Sequence, residues 1–468
     1  MSECPWHAPR DAAQQTPPFE PPWPRPHDRK PGLWARFRLG WHSWVHTLCA
    51  RAYGMKMGET RLPRLAMFMV NELPLVHRVL DDAEGDFPKH WLLDDLLRPL
   101  IGQGVFVANG AEWQRQRAMI NPAFVHTNMA RAFPVMMAAA QDLVARLKAM
   151  DLSRPVDVDP LMTHVAADVI FRTLFSRALT GAEAMVIHRA FTAYQAHAQR
   201  ATTLGLYGLP RMGFGALARR QAARIRGVFA PIIAARMAAR AQGVAHVPPD
   251  LLDSLLAARD PKTGQGFDES TLIDQVAVLF LAGHETTASA LAWSLYLLAE
   301  VPVWQDRLRD EMAQVTGGAS LAHGHLRGME AMRNVFRESL RLYPPVSFLP
   351  RVATHAIAIR DKAIVPGDMI VAAPWLVHRN PQHWALPHAF DPDRFTTPQG
   401  IESARQAWIP FGRGPRVCVG AGFATQEAQV VLAAVLRTFR LEAARPPDLV
   451  SRLTLRPRGG VWLRFAPL

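Results

Sequence analysis

The stretch Phe411 to Gly420, FGRGPRVCVG, restricts what this chain can become more than any other ten residues. It holds Cys418, one of three cysteines; Cys4 and Cys49 lie far away near the N-terminus. Arg413 and Arg416 stand close in sequence and favour a thiolate over a thiol. The apolar run Gly422 to Leu436 reads as a helix, so the sulfur sits just ahead of a helix N-terminus, where partial positive charge also favours the anion. Gly412, Gly414 and Gly420 permit a sharp turn and a close approach of backbone to a flat ligand. Pro415 stiffens the loop and removes one N–H. An isolated cysteine is usually a small buried apolar residue. Three glycines, a proline and two arginines around it argue for a loop built to present sulfur.

A second constraint is Ser270 to Glu300, a long and strongly apolar helical stretch. Val276 to Ala299 is long enough to span a bilayer. Its centre, Gly283–His284–Glu285–Thr286–Thr287, places a carboxylate and hydroxyls where lipid would make them costly. The expectation is a helix buried through the middle of a large globule. Elsewhere Trp113 and Arg117 are four apart on one helix face, and Glu338 and Arg341 are three apart. Such pairs are common and say little singly.

Together these segments resemble the cytochromes P-450. Phe411, Gly414, Arg416, Cys418 and Gly420 fit that family's Phe-x-x-Gly-x-Arg-x-Cys-x-Gly haem signature. Ala282 to Thr287 fits its Ala-Gly-x-Asp/Glu-Thr-Thr motif, and Trp113 with Arg117 fits its Trp-x-x-x-Arg pair. Glu338, Arg341 and Arg394 fit its Glu-x-x-Arg triad, although many members carry glutamate where this chain has Asp393. The four motifs follow the family's order, and the resemblance runs from about Trp34 onward.

The resemblance implies a mainly helical, triangular fold with a small β-rich region, holding haem b (iron protoporphyrin IX). Cys418 would be the axial ligand, with Trp113, Arg117 and Arg351 on the propionates. Ala282, Gly283, Phe411, Gly412, Arg416 and Gly420 would also touch the cofactor. Gly283 would leave room for oxygen, Thr286 would activate it, and Glu285 would relay protons. His284 reads as a packing residue. Glu338, Arg341 and Arg394 would be structural. Val346 to Leu349 would face the substrate.

The implied reaction is monooxygenation: one oxygen atom of O2 enters a hydrophobic organic molecule and the other becomes water. No flavin or ferredoxin segment is visible, so a separate acidic ferredoxin with its reductase is expected, with Arg115 and Arg413 as docking candidates. A haem-thiolate enzyme that uses peroxide or rearranges its substrate is the rival, and the intact Glu285–Thr286 pair speaks against it. A non-catalytic haem binder or sensor would leave that pair idle.

Composition fits this reading. The 468 residues are 49% apolar, enough for a substantial core. The net charge of +13 is carried by arginines spread over many segments, which suits an acidic partner rather than nucleic acid. Three cysteines suit a reducing compartment, and no secretory segment is visible, so a cytoplasmic protein is expected. Residues 1–32 are proline-rich and read as a flexible arm ahead of one domain, 33–468. From Leu33 to Met57, Trp34, Phe37, Trp41, Trp44 and Leu48 recur at helical steps beside several arginines. That basic stripe is expected to dock on the protein's own core, with at most peripheral membrane contact. Further helices are expected over Met129–Met150, Val165–Ser176, Gly181–Thr203, Gly215–Ala241 and Leu326–Leu342, and a terminal hairpin around Arg458–Gly459–Gly460.

Overall fold

The computed structural model describes residues 18–82, 85–124 and 126–468, and the side chains of 126–129 are not considered. The long apolar stretch forms one helix, Glu269–Glu300. Asp268 caps it by accepting the Thr271 N–H at 2.7 Å, and Pro302 opens the next helix just past its end. From Leu272 to Ala299 it is buried nearly all round, which explains a sequence apolar on every face. Helices Val158–Phe175, Phe214–Ala241, Glu330–Leu342 and Ala421–Leu436 pack around it.

Four helices fall close to their expected spans: His126–Ala149, Val158–Phe175, Gly181–Leu206 and Phe214–Ala241. The expected Leu326–Leu342 helix is divided. A short 3-10 turn, His323–Arg327, precedes Glu330–Leu342, whose first amides are capped by Glu311 through Ala331 N–H at 2.6 Å and Met332 N–H at 2.9 Å. It stops at Tyr343 because the next two residues are prolines.

The small β-rich region is a four-stranded sheet in the order Met57–Arg61, Ala66–Val70, Met369–Ala372, Leu349–Val352. The middle pair is parallel and the outer pairs are antiparallel. The expected terminal hairpin is not formed. Leu455–Arg458 pairs with Asp448–Ser451, whereas Trp462–Pro467 pairs with Phe439–Ala443 and Val156–Asp157. The turn at Gly459–Gly460, with φ of 80° and 83°, sends the chain from one sheet to another. Alternation correctly marks both strands but carries no information on partners.

Two N-terminal expectations are corrected. The Trp34 to Leu48 stripe is not one helix but Leu33–Gly40, a 3-10 turn Val45–Thr47 and a short turn Arg51–Gly54. Val45 and Leu48 do dock on the core, as expected, while Trp34 remains exposed. Of the expected arm, residues 1–17 lie outside the described residues. From Pro18 onward the extended chain is docked. Phe19 accepts the Phe390 N–H at 2.9 Å, Pro22 accepts the Tyr343 hydroxyl at 2.7 Å, and Trp23 stacks on His388 with ring centres 4.0 Å apart. Prolines suit this strap because it needs few backbone donors and loses little entropy on docking. We expect Trp23→Ala to destabilise the fold by about 1–3 kcal/mol, less than a fully buried tryptophan would cost; thermal unfolding of the variant checks this, and an unchanged transition would mean the strap is not fastened in solution.

Candidate active site

The cysteine loop is shaped by what lies beneath it. Gly412 and Gly414 have φ of 76° and 71°. A Cβ on Gly414 would lie 2.5 Å from the Leu80 carbonyl oxygen and 2.7 Å from Asp81 Cα. Glycine is therefore required there because the loop crosses the end of helix Leu73–Asp81, not because a ligand approaches. The Cys418 N–H donates to the Phe411 carbonyl at 2.9 Å, which folds the loop back and brings the sulfur to the start of helix Ala421–Leu436. The Cys418 side chain is accessible yet surrounded by protein, as befits a residue on the wall of a recess. Burial pushes its thiol up, against the opposing pull of the Gly420 N–H, Arg117 and Lys89.

Those two cations are not the pair expected from sequence. Arg413 faces away and pairs with Asp81 at 3.0 Å. Arg416 donates to the Ala108 carbonyl and Asn109 Oδ1, both at 2.9 Å, and lies 4.3 Å above the Trp113 ring. Arg117 reaches the loop itself, donating to the Val417 carbonyl at 2.9 Å, and it also holds Asn121. Arg351, in strand Leu349–Val352, is buried and donates only to its neighbour Pro350 among the described residues. Lys89, which sequence reading missed, donates to the Phe106 carbonyl and sits 3.8 Å over that ring.

Lys89, Arg117, Arg351 and Arg416 thus share one neighbourhood. Among the described residues none forms an ion pair with a carboxylate. Burial pushes Arg351 and Arg416 each down to about 10. Burial and then repulsion from the three arginines hold Lys89 well below the usual lysine range. The donor set fits a flat ligand bearing two carboxylates and a metal that takes a thiolate. A lone lysine in FPKHW, between apolar residues, was the available signal for Lys89.

Phe106 also lines a cavity of about 220 Å³ beside the central helix. Ala282 and Thr286 open onto it, and Thr286 Oγ1 donates to the Ala282 carbonyl at 2.6 Å. Val346, Ser347 and Phe348 line it as expected, but Leu349 packs elsewhere. Gly283 does not face it. A Cβ there would lie 3.1 Å from Ile170, so this glycine lets helix Val158–Phe175 approach. His284 is a packing residue, buried between Phe191 and Phe280 with Nδ1 at 2.9 Å from the Phe280 carbonyl.

Glu285 is buried and held through one oxygen. Oε1 accepts from Thr454 at 2.6 Å and Gln195 at 2.9 Å, with Arg456 at 3.9 Å. Burial favours the neutral acid, but Arg456, His284 and the two hydrogen bonds outweigh it and hold the carboxyl below its usual range. Arg456 also lies 3.0 Å from Asp159, which burial pushes up to about 6. These partners come from distant segments, and no local spacing announces them.

Glu338, Arg341 and Arg394 meet as expected. Arg341 grips both Glu338 oxygens at 2.8 Å, and Arg394 Nε donates to Oε1 at 2.9 Å. Asp393 is not part of this set and pairs with Arg307 at 2.8 Å. Arg115, like Arg413, is already neutralised, pairing with Glu112 at 2.7 Å.

A helical fold around a sulfur and a ring of unpaired cations defines a haem-thiolate protein. The family model for cytochrome P-450 matches residues 24–463, and the chain belongs to that family. It is 32% identical to cyclooctat-9-en-7-ol 5-monooxygenase of Streptomyces melanosporofaciens, over 82% of each chain. It is 30% identical to a cytokinin hydroxylase of Arabidopsis thaliana, over 90% of this chain and 82% of that one. It is 28% identical to leukotriene-B4 omega-hydroxylase 3 of Mus musculus, over 87% and 81%. The family carries haem on a thiolate and uses O2, a substrate and a redox partner.

Removing one member of a buried ion network leaves the others uncompensated, at a cost of about 3–5 kcal/mol. Glu338→Ala should lose that much stability and yield protein without haem, read from the haem-to-protein absorbance ratio and a thermal melt. Burial favours a neutral Glu338, but Arg341 and Arg394 outweigh it and lower its pKa. The network therefore holds above the ordinary glutamate range and fails only as pH falls through the depressed value. Full haem content in the variant would contradict this role.

Proposed function

We propose that the chain oxygenates a hydrophobic substrate in the cavity beside Thr286, with Cys418 Sγ as the iron ligand. Lys89, Arg117, Arg351 and Arg416 would hold the two propionates, with Trp113 supporting Arg416. The observation that carries this reading is the set of four cations without carboxylates beside an accessible cysteine. When bound there, haem supplies the iron centre for oxygen activation, and its thiolate ligand donates electron density. The protein supplies the rest. Apolar walls exclude bulk water. Because the Thr286 proton is donated to the Ala282 carbonyl, its oxygen faces the cavity as an acceptor and can orient a water there.

Glu285 moves protons toward that water. Its Oε1 is anchored by Thr454 and Gln195 while its side chain reaches the cavity wall. Arg456 and Asp159 connect it toward solvent, and the raised Asp159 pKa suits a group that loads protons near neutrality. This set also favours monooxygenation over peroxide use, which needs no such delivery.

The electron donor we assign is an acidic ferredoxin, in a cytoplasmic setting. Since Arg115 and Arg413 are paired, its docking surface moves to the groove beside Phe411 and Ala421, where Arg333 and Arg337 lie. Among the described residues no helix is long and apolar enough to cross a membrane.

Reconstitution with ferredoxin and its reductase tests the whole reading. Wild type should show the thiolate-type reduced carbon-monoxide spectrum and consume O2 with substrate. Thr286→Ala should keep the spectrum and still draw electrons, while product per electron falls by roughly tenfold or more. Undiminished product yield would remove Thr286 from proton delivery. Turnover with peroxide alone at the wild-type rate would favour the rival enzyme.

Charge reversal of Arg333 should slow reduction in a salt-dependent way. Unchanged rates would place the donor elsewhere.

A further inference from the structure

The cavity beside Thr286 has a second polar feature that oxygen chemistry does not use. Most of its wall is apolar, with Leu62, Met67, Leu92, Leu96, Phe348 and Met369. Three charged side chains reach it: Glu285, Arg36 and Arg452. Glu285 is held by Thr454, Gln195 and Arg456, as above. The two arginines are not comparably held.

Arg36 lies on helix Leu33–Gly40. Its Nε and Nη1 are withdrawn from solvent and donate no hydrogen bond. Among the described residues it forms no ion pair. The nearby acid, Glu59, is already held by Arg61 at 2.7 Å and Lys362 at 3.6 Å. Lys30, also close by, donates to the Glu59 carbonyl at 2.6 Å and adds to the positive field rather than cancelling it. Arg452 makes one long contact, 3.4 Å to the His42 carbonyl, and has Arg200 for company. A guanidinium with buried N–H groups and no protein acceptor is costly unless something else fills the place. Its planar fork matches a carboxylate.

We propose that the substrate is an organic acid with a long apolar body. Its carboxylate is bound by Arg36 within the field of Arg452, and its hydrocarbon part runs along the apolar wall toward Ala282 and Thr286. The inference rests on reading this cavity as the substrate site. It names the substrate's chemical class, which the family does not, and it makes Arg36 a specificity-determining residue remote from the oxygen chemistry.

The experiment is a binding titration of the haem-loaded protein, following the shift of the haem absorption band. The probes are straight-chain and ring-bearing carboxylic acids, dodecanoic acid among them, each paired with its methyl ester. A charge-assisted hydrogen bond of this kind predicts acids binding roughly 10- to 100-fold more tightly than their esters. In Arg36→Gln the gap between acid and ester should collapse, and in Arg36→Lys part of it should return. Equal affinity of acid and ester in the wild type would overturn the proposal. So would an acid preference that survives Arg36→Gln, or failure of every acid in the panel to bind. The reduced carbon-monoxide spectrum of the same samples separates the two readings. A lost spectrum in the wild type sinks the haem-thiolate site, whereas an intact spectrum without acid preference sinks only the organic-acid proposal.

Discussion

Lys89, Arg117, Arg351 and Arg416 converge on one recess, and among the described residues no carboxylate is paired to any of them. Burial depresses the basicity of Lys89, Arg351 and Arg416, and repulsion from neighbouring cations adds to it at Lys89 and Arg416. A protein that folded for its own sake would place acids there or leave the cations in water. This one leaves the compensation to a ligand, and the family's haem brings two carboxylates and a site for the thiolate. Folding and cofactor loading are therefore linked: whatever binds the folded recess stabilises it by mass action. The same electrostatics act on Cys418, whose thiol is pushed up by burial until neighbouring charge and a metal favour the anion.

The opposite side is governed by hydrogen-bond direction rather than by charge. Thr286 sits one turn after Ala282 and gives its proton to that carbonyl. What remains toward the cavity is a lone pair, which can accept from a donor there. Glu285 is adjacent in sequence and also reaches the cavity wall, while Thr454, Gln195 and Arg456 hold it as an anion. The two halves of the motif therefore meet one cavity from different sides of one helix. That division follows from helical geometry alone, since neighbouring residues project about 100° apart.

The sequence made most of the long helices legible, because their apolar periodicity is strong and their ends are marked by Asp268, Pro302 and Pro344. It made the cysteine loop and the Glu338 set legible because each is a fixed short pattern. It hid what depends on distant pairing. Strand Trp462–Pro467 alternates as a hairpin arm would, yet its partners are Phe439–Ala443 and Val156–Asp157. The tryptophan stripe at Trp34 to Leu48 has helical spacing, but the chain breaks after Gly40, where a Cβ would crowd the Trp44 ring at 3.1 Å. The close packing of Gly283 against Ile170 is likewise set by a distant segment. Lys89 and Arg456 are single charged residues in unremarkable surroundings, and only the fold shows what they face.

The Glu338 network acts at a distance, and its route can be followed bond by bond. Arg341, gripped by Glu338, donates to the carbonyls of His378 at 2.8 Å, Pro387 at 2.7 Å and Ala389 at 2.9 Å. Arg394 ties down Ala385 and Ala389 in the same segment. His378, so fixed, accepts the Ile409 N–H on Nε2 at 2.9 Å while Nδ1 meets the Arg341 carbonyl at 3.1 Å. Burial and two neighbouring arginines hold that imidazole well below its usual pKa, so it stays neutral and keeps an acceptor for Ile409. Ile409 in turn accepts the Gly412 N–H at 3.0 Å, and Phe411 accepts that of Cys418. A carboxylate buried among arginines thereby sets the height of a sulfur atom some eighty residues later in the chain. Rigid placement is what a thiolate ligand needs, because a metal–sulfur bond tolerates only a few tenths of an ångström of error. The network is costly to bury and cannot be justified by stability alone; its justification lies in the loop it holds.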